Sequence, residues 1–447
     1  MARLFDPATF FTISEKELLH LIRDKFAPEL ERLKRAYSVS DPTIIRPPEP
    51  SPSRILFGAD HDEVDRTLVG VLALRWLHNE QYDVFVAGQP ESVRLTRESF
   101  AWMREREAEA PDDLDALVTA LVINDLGKDK TLASDYYDRT GEDISALNHD
   151  AILLEAARKP GMIAALDRLD PRQRQEIVRG LELGADFNYG QLAQTENAPA
   201  CLGVLCQFSG QNDQRAVALH FLEQLLDIAG AAGHMDWTSA RKPIEPIIQA
   251  YRISHDVVSG IISGTIDPCA GHQMVLTRRA ELLCRRGFRN LRADIADERA
   301  LLRLMCMGGV ADQPTADLFD SAWNSLDSPT RQHLVRSLNA AGTQSKPAVQ
   351  VTYAPALLTQ AADANNTKRT WREKERHLHS ALVYLARVMT LEAPLEPRAI
   401  VVERNILDVL KNVVQSPTFR ENPSILETTQ VPRGTAIVFG KEVADHM

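Results

Sequence analysis

Apolar residues recur at three- and four-residue intervals along most of this chain, a spacing that predicts helices. The predicted segments are 13–36, Asp62–His78, Asp113–Leu126, His149–Arg158, Pro171–Leu183, Asp213–Gly230, Pro243–Ile262 and Gly271–Arg286. Ser14 stands three residues before Glu17, the spacing of a helix capping box. Few segments alternate with a period of two, and only Val349–Tyr353 indicates a short strand. The pattern therefore predicts an all-α fold.

Breaks in this pattern divide the chain into three predicted segments. Prolines are concentrated in Ser40–Pro52, so residues 1–53 are read as an N-terminal helix and an extended strap. Residues 54–310 are predicted to form a helical catalytic core. This core ends where glycine, proline and polar residues interrupt the helical pattern between residues 310 and 345. Residues 311–447 are predicted to add C-terminal helices that pack on this core, up to about Val414.

The charge and cysteine content of the chain indicate which kinds of molecule it binds and in which compartment it resides. The 447 residues include 51 Lys and Arg against 62 Asp and Glu, a net charge of −11. This acidic balance argues against nucleic acid and anionic membranes as partners. The five cysteines include no CxxC pair, which favours free thiols in a reducing compartment. No basic-then-apolar leader and no apolar run of about 18 residues is present, so we expect a cytoplasmic protein that does not enter the membrane.

The strongest chemical signal is the segment Ala120–Lys128, in which an apolar helix runs into Asn124, Asp125, a glycine and a lysine. It resembles the central motif of the HD superfamily, where adjacent His and Asp bind a metal. Asn124 occupies the histidine position. An amide oxygen is a hard ligand, so the change favours Mg²⁺ or Mn²⁺ over zinc or iron.

Two neighbouring helix starts supply further candidate ligands. On one face of a helix, His61 with Asp65, or Asp62 with Asp65 or Arg66, would point at one metal, and His149 opens the next helix after the motif. The last acidic ligand is either Asp186 or Asp227, and the sequence alone does not choose between them. Each element also has a simpler interpretation, because acids and Asn at helix starts act as caps and a glycine ends many helices.

Three later segments add candidate substrate contacts. Gly184–Gln191 combines aromatic rings and amides, Asp227–Trp237 is rich in small residues that favour close helix packing, and Gly271–Glu281 carries Met274 one turn before Arg278. An apolar side chain followed by a cation suits a ligand with a greasy chain and an anionic head.

Taken together, residues 55–290 resemble atypical fungal terpene cyclases of the humulene-synthase type, on an HD-superfamily-like helical core. The resemblance implies an Mg²⁺-dependent sesquiterpene cyclase that binds two ions, or Mn²⁺ in their place, and ionises farnesyl diphosphate or another prenyl diphosphate. The family's diphosphate-binding lysine has its nearest counterpart in Arg278, with Lys128 as a second catalytic cation. The candidate substrate-binding residues are Lys130, Phe187, Tyr189, Gln191, Phe208, Trp237 and Met274.

Two other functions use the same residues. An HD-type phosphohydrolase would attack a phosphate ester with metal-bound water, and a non-catalytic helical scaffold would keep only a relic of the metal site. Helical enzymes of this size often dimerise, so a homodimer is also expected.

Overall fold

A computed structural model describes residues 3–36, 46–109, 113–343, 346–363, 368–390 and 400–437. The described chain is mostly helical, with a few short strands, which confirms the predicted all-α class. The predicted strap spans Ser40–Pro52, and its part up to residue 45 lies outside the described residues. None of the described helices combines the length and the apolar character needed to cross a bilayer.

The elements that the structure describes up to Asp186 are all helices. They are α1 (Pro7–Thr12), α2 (Glu15–Lys25), α3 (Ala27–Leu33), α4 (Pro52–Phe57), α5 (Asp62–His78), α6 (Tyr82–Phe85), α7 (Arg97–Glu109), α8 (Leu114–Ile123), α9 (Lys130–Thr140), α10 (His149–Arg158), α11 (Ala164–Asp167) and α12 (Pro171–Asp186), with 3₁₀ turns at Glu91–Val93 and Leu126–Lys128.

The second part contains further helices and three short strands. They are α13 (Tyr189–Ala193), a 3₁₀ helix (Pro199–Gln207), α14 (Gln211–Gly230), α15 (Glu245–Ile262), α16 (Pro268–Arg285), α17 (Ala296–Met307), α18 (Gln313–Asn324), α19 (Ser328–Leu338), β1 (Ala348–Thr352), α20 (Ala354–Ala362), α21 (Trp371–Val388), β2 (Val401–Asn405), α22 (Leu407–Val409), a π-helical turn (Leu410–Val414), α23 (Pro417–Glu421), α24 (Ile425–Thr428) and β3 (Thr435–Ile437).

The element boundaries follow local chemistry. The capping box of Ser14 and Glu17 is formed at the start of α2. The prediction of a single helix over residues 13–36 is wrong, because the structure has two helices there. The chain turns at Phe26, and α3 begins at Ala27 with Pro28 as its second residue. Helices α5 and α10 have the predicted bounds, Asp62–His78 and His149–Arg158.

Contacts divide the chain into two compact units. The first unit comprises Met1–Asp186 and Phe208–Gln249, and the second comprises Phe187–Gln207 and Ala250–Met447. Each unit is assembled from separate stretches of the chain, whereas the predicted segments 1–53, 54–310 and 311–447 are contiguous and stay a prediction.

In the first unit, α5 and α14 lie in close contact because glycines remove side chains from their interface. A Cβ atom on Gly230 would lie 2.2 Å from the carbonyl oxygen of Arg66, and one on Gly233 would lie 2.8 Å from that of Asp65. The small residues after Asp227 therefore serve the helix packing that their size predicts. This contact holds the start of α5 against the end of α14.

The second unit contains a small sheet together with helices α16 to α24. Strand β1 pairs in parallel with β2, and β3 pairs with β2 in the antiparallel sense. The predicted strand at Val349–Tyr353 is thus confirmed as β1, one residue earlier. The core is formed by buried side chains such as Met305, Phe319, Trp323 and Leu382.

A buried arginine fixes one turn of this second unit. Arg303 of α17 donates hydrogen bonds to the carbonyl oxygens of Thr195 at 2.8 Å, Asn197 at 2.8 Å and Leu338 at 2.7 Å. Burial lowers its pKa to about 10. Carbonyl acceptors rather than acids satisfy this guanidinium.

Candidate functional site

Four charged side chains of the first unit meet at the junction of α5 and the turn that follows α8. We call Glu63, Arg66, Asp125 and Lys128 the carboxylate–cation cluster. The Lys128 Nζ atom lies 2.8 Å from Asp125 Oδ1 and 3.1 Å from Glu63 Oε1. Arg66 Nη1 lies 2.8 Å from the same Glu63 oxygen. Two acids and two cations therefore form one continuous ion-pair network.

The local sequence explains why Asp125 and Lys128 reach this place. Helix α8 is buried along most of its length, so its C-terminal end lies inside the first unit. The chain then tightens into the 3₁₀ turn Leu126–Lys128, which lies against the start of α10. A Cβ atom on Gly127 would lie only 1.9 Å from the carbonyl oxygen of His149, so this contact requires glycine.

A second ion pair anchors the other side of the turn. Asp129 is 2% exposed, and its carboxylate accepts hydrogen bonds from Thr131 and from Arg35, at 2.6 Å for Arg35 Nη2. Asp129 thereby caps α9 and ties it to the segment after α3. The turn that carries Lys128 is thus held from both ends.

Burial makes the cluster electrostatically strong. The exposed fractions of the side chains are 0% for Glu63, 11% for Asp125, 18% for Lys128 and 19% for Arg66. Burial and the nearby Asp125 raise the pKa of Glu63. Burial opposes ionisation of Asp125, but Lys128, a hydrogen bond with Glu63, and Arg66 outweigh it and lower the pKa of Asp125. A proton on Glu63 shared with an ionised Asp125 accounts for both shifts.

Further acids surround the cluster. Burial, Asp125 and Glu223 raise the pKa of Asp227 on α14 to about 7. Burial raises the pKa of Asp150 on α10, and Asp125 adds to this effect although His149 opposes it. Five carboxyl groups thus interact around two fixed cations, Arg66 and Lys128. This excess of negative charge favours an additional cation or proton.

Glu223 is held by a histidine of its own helix. His220 Nδ1 lies 3.2 Å from Glu223 Oε2, and both side chains are buried. The imidazole also fills the space beside Gly184 of α12, where a Cβ atom would lie 3.0 Å from its ring. The pair therefore links α12 and α14 next to Asp227.

The predicted ligands at the start of α5 have other contacts. Asp65 accepts hydrogen bonds from the Ser53 amide at 2.7 Å and the Ser53 hydroxyl at 2.9 Å, and burial raises its pKa to about 6. Asp62 lies 3.5 Å from Arg46. His61 begins the helix with its ring edge-on to Phe57, and burial lowers its pKa. The cluster instead contains Glu63 and Arg66, which lie between and after these residues.

The other predicted ligands occupy different positions in the first unit. Asn124 is half-buried beside Asp125, and its side-chain amide makes no hydrogen bond to any other described residue. His149 is exposed and lies 3.4 Å from Asp150, so Asp150 rather than His149 interacts with Asp125. Asp186 is the last residue of α12, and its side chain is exposed.

Of the predicted cations, only Lys128 enters the cluster. Lys130 is exposed at the start of α9. Arg278 belongs to the second unit, where its Nη1 atom lies 2.5 Å from Asp256 Oδ2 and both side chains are partly exposed.

The predicted substrate-binding residues are divided between the two units. In the second unit, Phe187 and Tyr189 are buried with their rings edge to face, 5.0 Å apart between centroids. Gln191 accepts a weak hydrogen bond from Gln350 at 3.4 Å, and Met274 is half-buried. In the first unit, Phe208 is buried beneath the Arg179 guanidinium, 3.9 Å from its ring centroid, and Trp237 is half-buried.

The donor chemistry at Asp125 fits a hard divalent cation. Glu63, Asp125 and the uncommitted Asn124 amide offer oxygen ligands of the kind that Mg²⁺ prefers. Within the described ranges, no three His, Cys, Asp or Glu side chains are grouped as a metal site. An Mg²⁺ ion held here would therefore need the Asn124 oxygen besides the two carboxylates.

These features define a helical protein with a buried carboxylate–cation cluster at the end of α8. The chain belongs to a family of unknown function, DUF6829, whose model matches residues 19–426. No curated protein and no solved structure matches it.

Sequence reasoning missed Glu63 as a member of the site and considered Arg66 only as a partner of Asp62, so the pair Glu63 and Arg66 was not predicted. Their separation of three residues on α5 is the same signal that suggested Asp62 and Asp65, displaced by one position. Thirteen residues of α5 are buried, on all sides of the helix. The pattern therefore gave no polar face from which to choose between the two pairs.

Proposed function

We propose that this protein is an Mg²⁺-dependent enzyme that acts on an organic phosphate or diphosphate at the carboxylate–cation cluster. The observation that carries the proposal is the contact of Lys128 with both Asp125 and Glu63, next to the free amide of Asn124. The sequence resemblance makes a sesquiterpene cyclase the specific activity we put first, with farnesyl diphosphate as substrate, in a cytoplasmic homodimer.

The chain's own residues suggest how such a substrate would be held. Asp125, Glu63 and Asn124 would bind the metal, and Mg²⁺ supplies electrostatic stabilisation of a departing diphosphate. Lys128 and Arg66 both contact Glu63, and both side chains are partly accessible. These two cations would therefore bind phosphate oxygens. Their fixed positions within a buried network would let them stabilise developing negative charge without large rearrangement.

An HD-type phosphohydrolase is the second candidate, and one observation favours it. Asp227 has a pKa of about 7 beside the cluster, so near neutral pH it can accept or donate a proton. Hydrolysis needs such a group to take the proton of an attacking water. A cyclase instead needs an apolar cavity that protects a carbocation, and the predicted wall residues Phe187, Tyr189, Phe208, Trp237 and Met274 remain proposals for it.

One experiment separates these activities. Purified protein is incubated with Mg²⁺ or with EDTA and offered farnesyl, geranyl or geranylgeranyl diphosphate, and separately nucleotides. A metal-dependent hydrocarbon or terpene alcohol would support the cyclase. Inorganic phosphate released without a prenyl product would support the phosphohydrolase.

Matched variants test the site itself. Asp125→Asn should abolish both activity and the thermal stabilisation that Mg²⁺ gives, while Asp143→Asn makes the same chemical change at an exposed aspartate. Absence of Mg²⁺ stabilisation in the unmodified protein would refute the proposal and favour a helical scaffold with a relic site.

A further inference from the structure

A polar cavity lies in the first unit, at the amino ends of α8 and α12. Its volume is about 260 Å³, and its lining includes Arg3, Arg168 and Arg172 together with three aspartates and the apolar side chains of Phe5, Pro7 and Leu114. Helix α8 has 10 residues and carries Asp125 just beyond its other end. That helix length, about 15 Å, separates this cavity from the carboxylate–cation cluster.

The first of the lining acids is bound by two backbone donors of the protein. Asp115 is 6% exposed, and its two oxygens accept the backbone N–H groups of Leu4 at 2.8 Å and Phe5 at 2.9 Å. Asp115 therefore fastens the segment before α1 to α8. Little of its hydrogen-bonding capacity remains for a ligand.

The other two acids act as helix caps. Asp113 accepts from Arg172 at 2.8 Å and from Gln173 at 2.5 Å, and it caps α8. Asp170 accepts the backbone N–H groups of Arg172 at 2.9 Å and Gln173 at 3.0 Å, at the start of α12. Both acids are therefore committed to the two helix starts, whose N–H groups favour negative charge.

The arginines, in contrast, keep unused donors. Arg168 forms no ion pair with any described residue, and its Nε and Nη2 atoms are buried without a hydrogen-bond acceptor. Its guanidinium lies over the Phe26 ring, 5.4 Å from the centroid. Arg3 likewise has no ion pair or hydrogen bond from its side chain within the part of the chain that the structure describes. Arg172 is the one of the three that pairs with acids, Asp113 and Glu176.

We propose that this cavity binds a small organic phosphate. The formal charges of its three arginines and three aspartates cancel, but each aspartate already accepts hydrogen bonds from the protein, whereas Arg3 and Arg168 form no ion pair with any described residue. Guanidinium groups match phosphate oxygens with several hydrogen bonds at once. Two nitrogens of Arg168 are buried without an acceptor, so an anion that reached them would satisfy donors that the fold leaves unpaired. Phe5, Pro7 and Leu114 would contact the organic part of the ligand.

The test is calorimetric titration of the full chain, in EDTA and at constant ionic strength, with phenyl phosphate, inorganic phosphate and chloride. Phenyl phosphate should bind with one site per chain and more tightly than inorganic phosphate, and chloride should not compete. Arg168→Gln and Arg3→Gln should each weaken phenyl phosphate by about tenfold or more, the effect of losing one charged hydrogen bond. Arg3 is exposed, so its variant tests the cavity even if Arg168→Gln does not fold.

Arg285→Gln is the matched control, because it removes an arginine whose side chain is 74% exposed in the second unit. It should bind phenyl phosphate as the unmodified protein does. Equal binding by the Arg3→Gln variant, or an equal loss in the Arg285→Gln control, would overturn the proposal. Tighter binding of inorganic phosphate than of phenyl phosphate would overturn the organic part of the assignment.

Discussion

Replacing Lys128 with methionine should destabilise the first unit at neutral pH. Methionine keeps the length of the side chain but removes the ammonium that lies 2.8 Å from Asp125 and 3.1 Å from Glu63. Removal of one partner from a buried ion pair typically costs about 3–5 kcal/mol. Arg66 still compensates Glu63 and Lys128 is 18% exposed, so we expect the lower end, about 3 kcal/mol. For a unit of this size, that corresponds to a Tm lower by roughly 6–12 °C.

The pH dependence of this loss is a second signature of the same mechanism. The pKa of Asp125 is lowered in the folded protein, so its ionisation contributes stability above the ordinary aspartate pKa, and that contribution is lost as the pH falls through the folded pKa. Lys128 is a main cause of the lowered value. The Tm difference should therefore be largest near pH 7–8 and should shrink below about pH 4.

The assay is differential scanning calorimetry at several pH values, with and without Mg²⁺. Lys130→Met is the control, because it removes the same charge from an exposed side chain two residues further on, and its effect should stay within about 0.5 kcal/mol. In the Lys128 variant, Mg²⁺ should restore part of the lost stability. Equal Tm values for the two variants across the pH range would refute the reasoning.

Three further variants test other parts of the molecule. Burial raises the pKa of Glu196 to about 7 from 4.5, so the native state loses about 3 kcal/mol as the pH rises between these values. Glu196→Gln, which can still accept the Tyr353 amide N–H, should therefore melt higher than the unmodified protein at pH 8 and equally at pH 4. Asp65→Asn should leave Mn²⁺ affinity unchanged in a calorimetric titration, because Asp65 bonds to Ser53; lost binding would make Asp65 a ligand after all. Gly127→Ala should reduce the soluble yield or the Tm sharply, because its Cβ atom meets a backbone oxygen at 1.9 Å, and a Tm within 1 °C would contradict this contact.

Helices with strong boundary signals were predictable from the sequence. The bounds of α5 and α10 follow from polar residues directly before buried apolar runs, and Asn148 does cap α10. The break at Phe26 was not predicted, because apolar spacing continues through it and only Pro28 marks the new start. Periodicity reports which residues are buried, and a sharp turn between two buried helices hardly changes it.

Strand β2 shows a different limit. Val401–Asn405 ends in charged and polar residues and follows a helical, charged stretch, so it was included in the predicted C-terminal helices. Its place in the sheet comes from pairing with β1, nearly fifty residues earlier in the chain. Such pairing depends on contacts that local sequence does not contain.

The candidate site was predictable where the chain supplies neighbouring residues and not where it depends on helix rotation. Asp125 and Lys128 lie in one short turn, and both enter the cluster as the motif suggests. Glu63 and Arg66 depend on which face of α5 meets that turn. The glycine contacts between α5 and α14 help to fix this rotation, and they involve residues more than 150 positions apart.

The interleaving of the two units has a practical consequence for dissecting the protein. The chain leaves the first unit after Asp186, returns at Phe208 and leaves again after Gln249, within helix α15. A fragment ending at Gln249 would carry residues 187–207 without the carbonyl-binding Arg303 that secures them, and would cut α15 in two. Limited proteolysis and truncation from either end therefore cannot liberate an intact half, and recombinant work on the cluster must begin from the whole polypeptide.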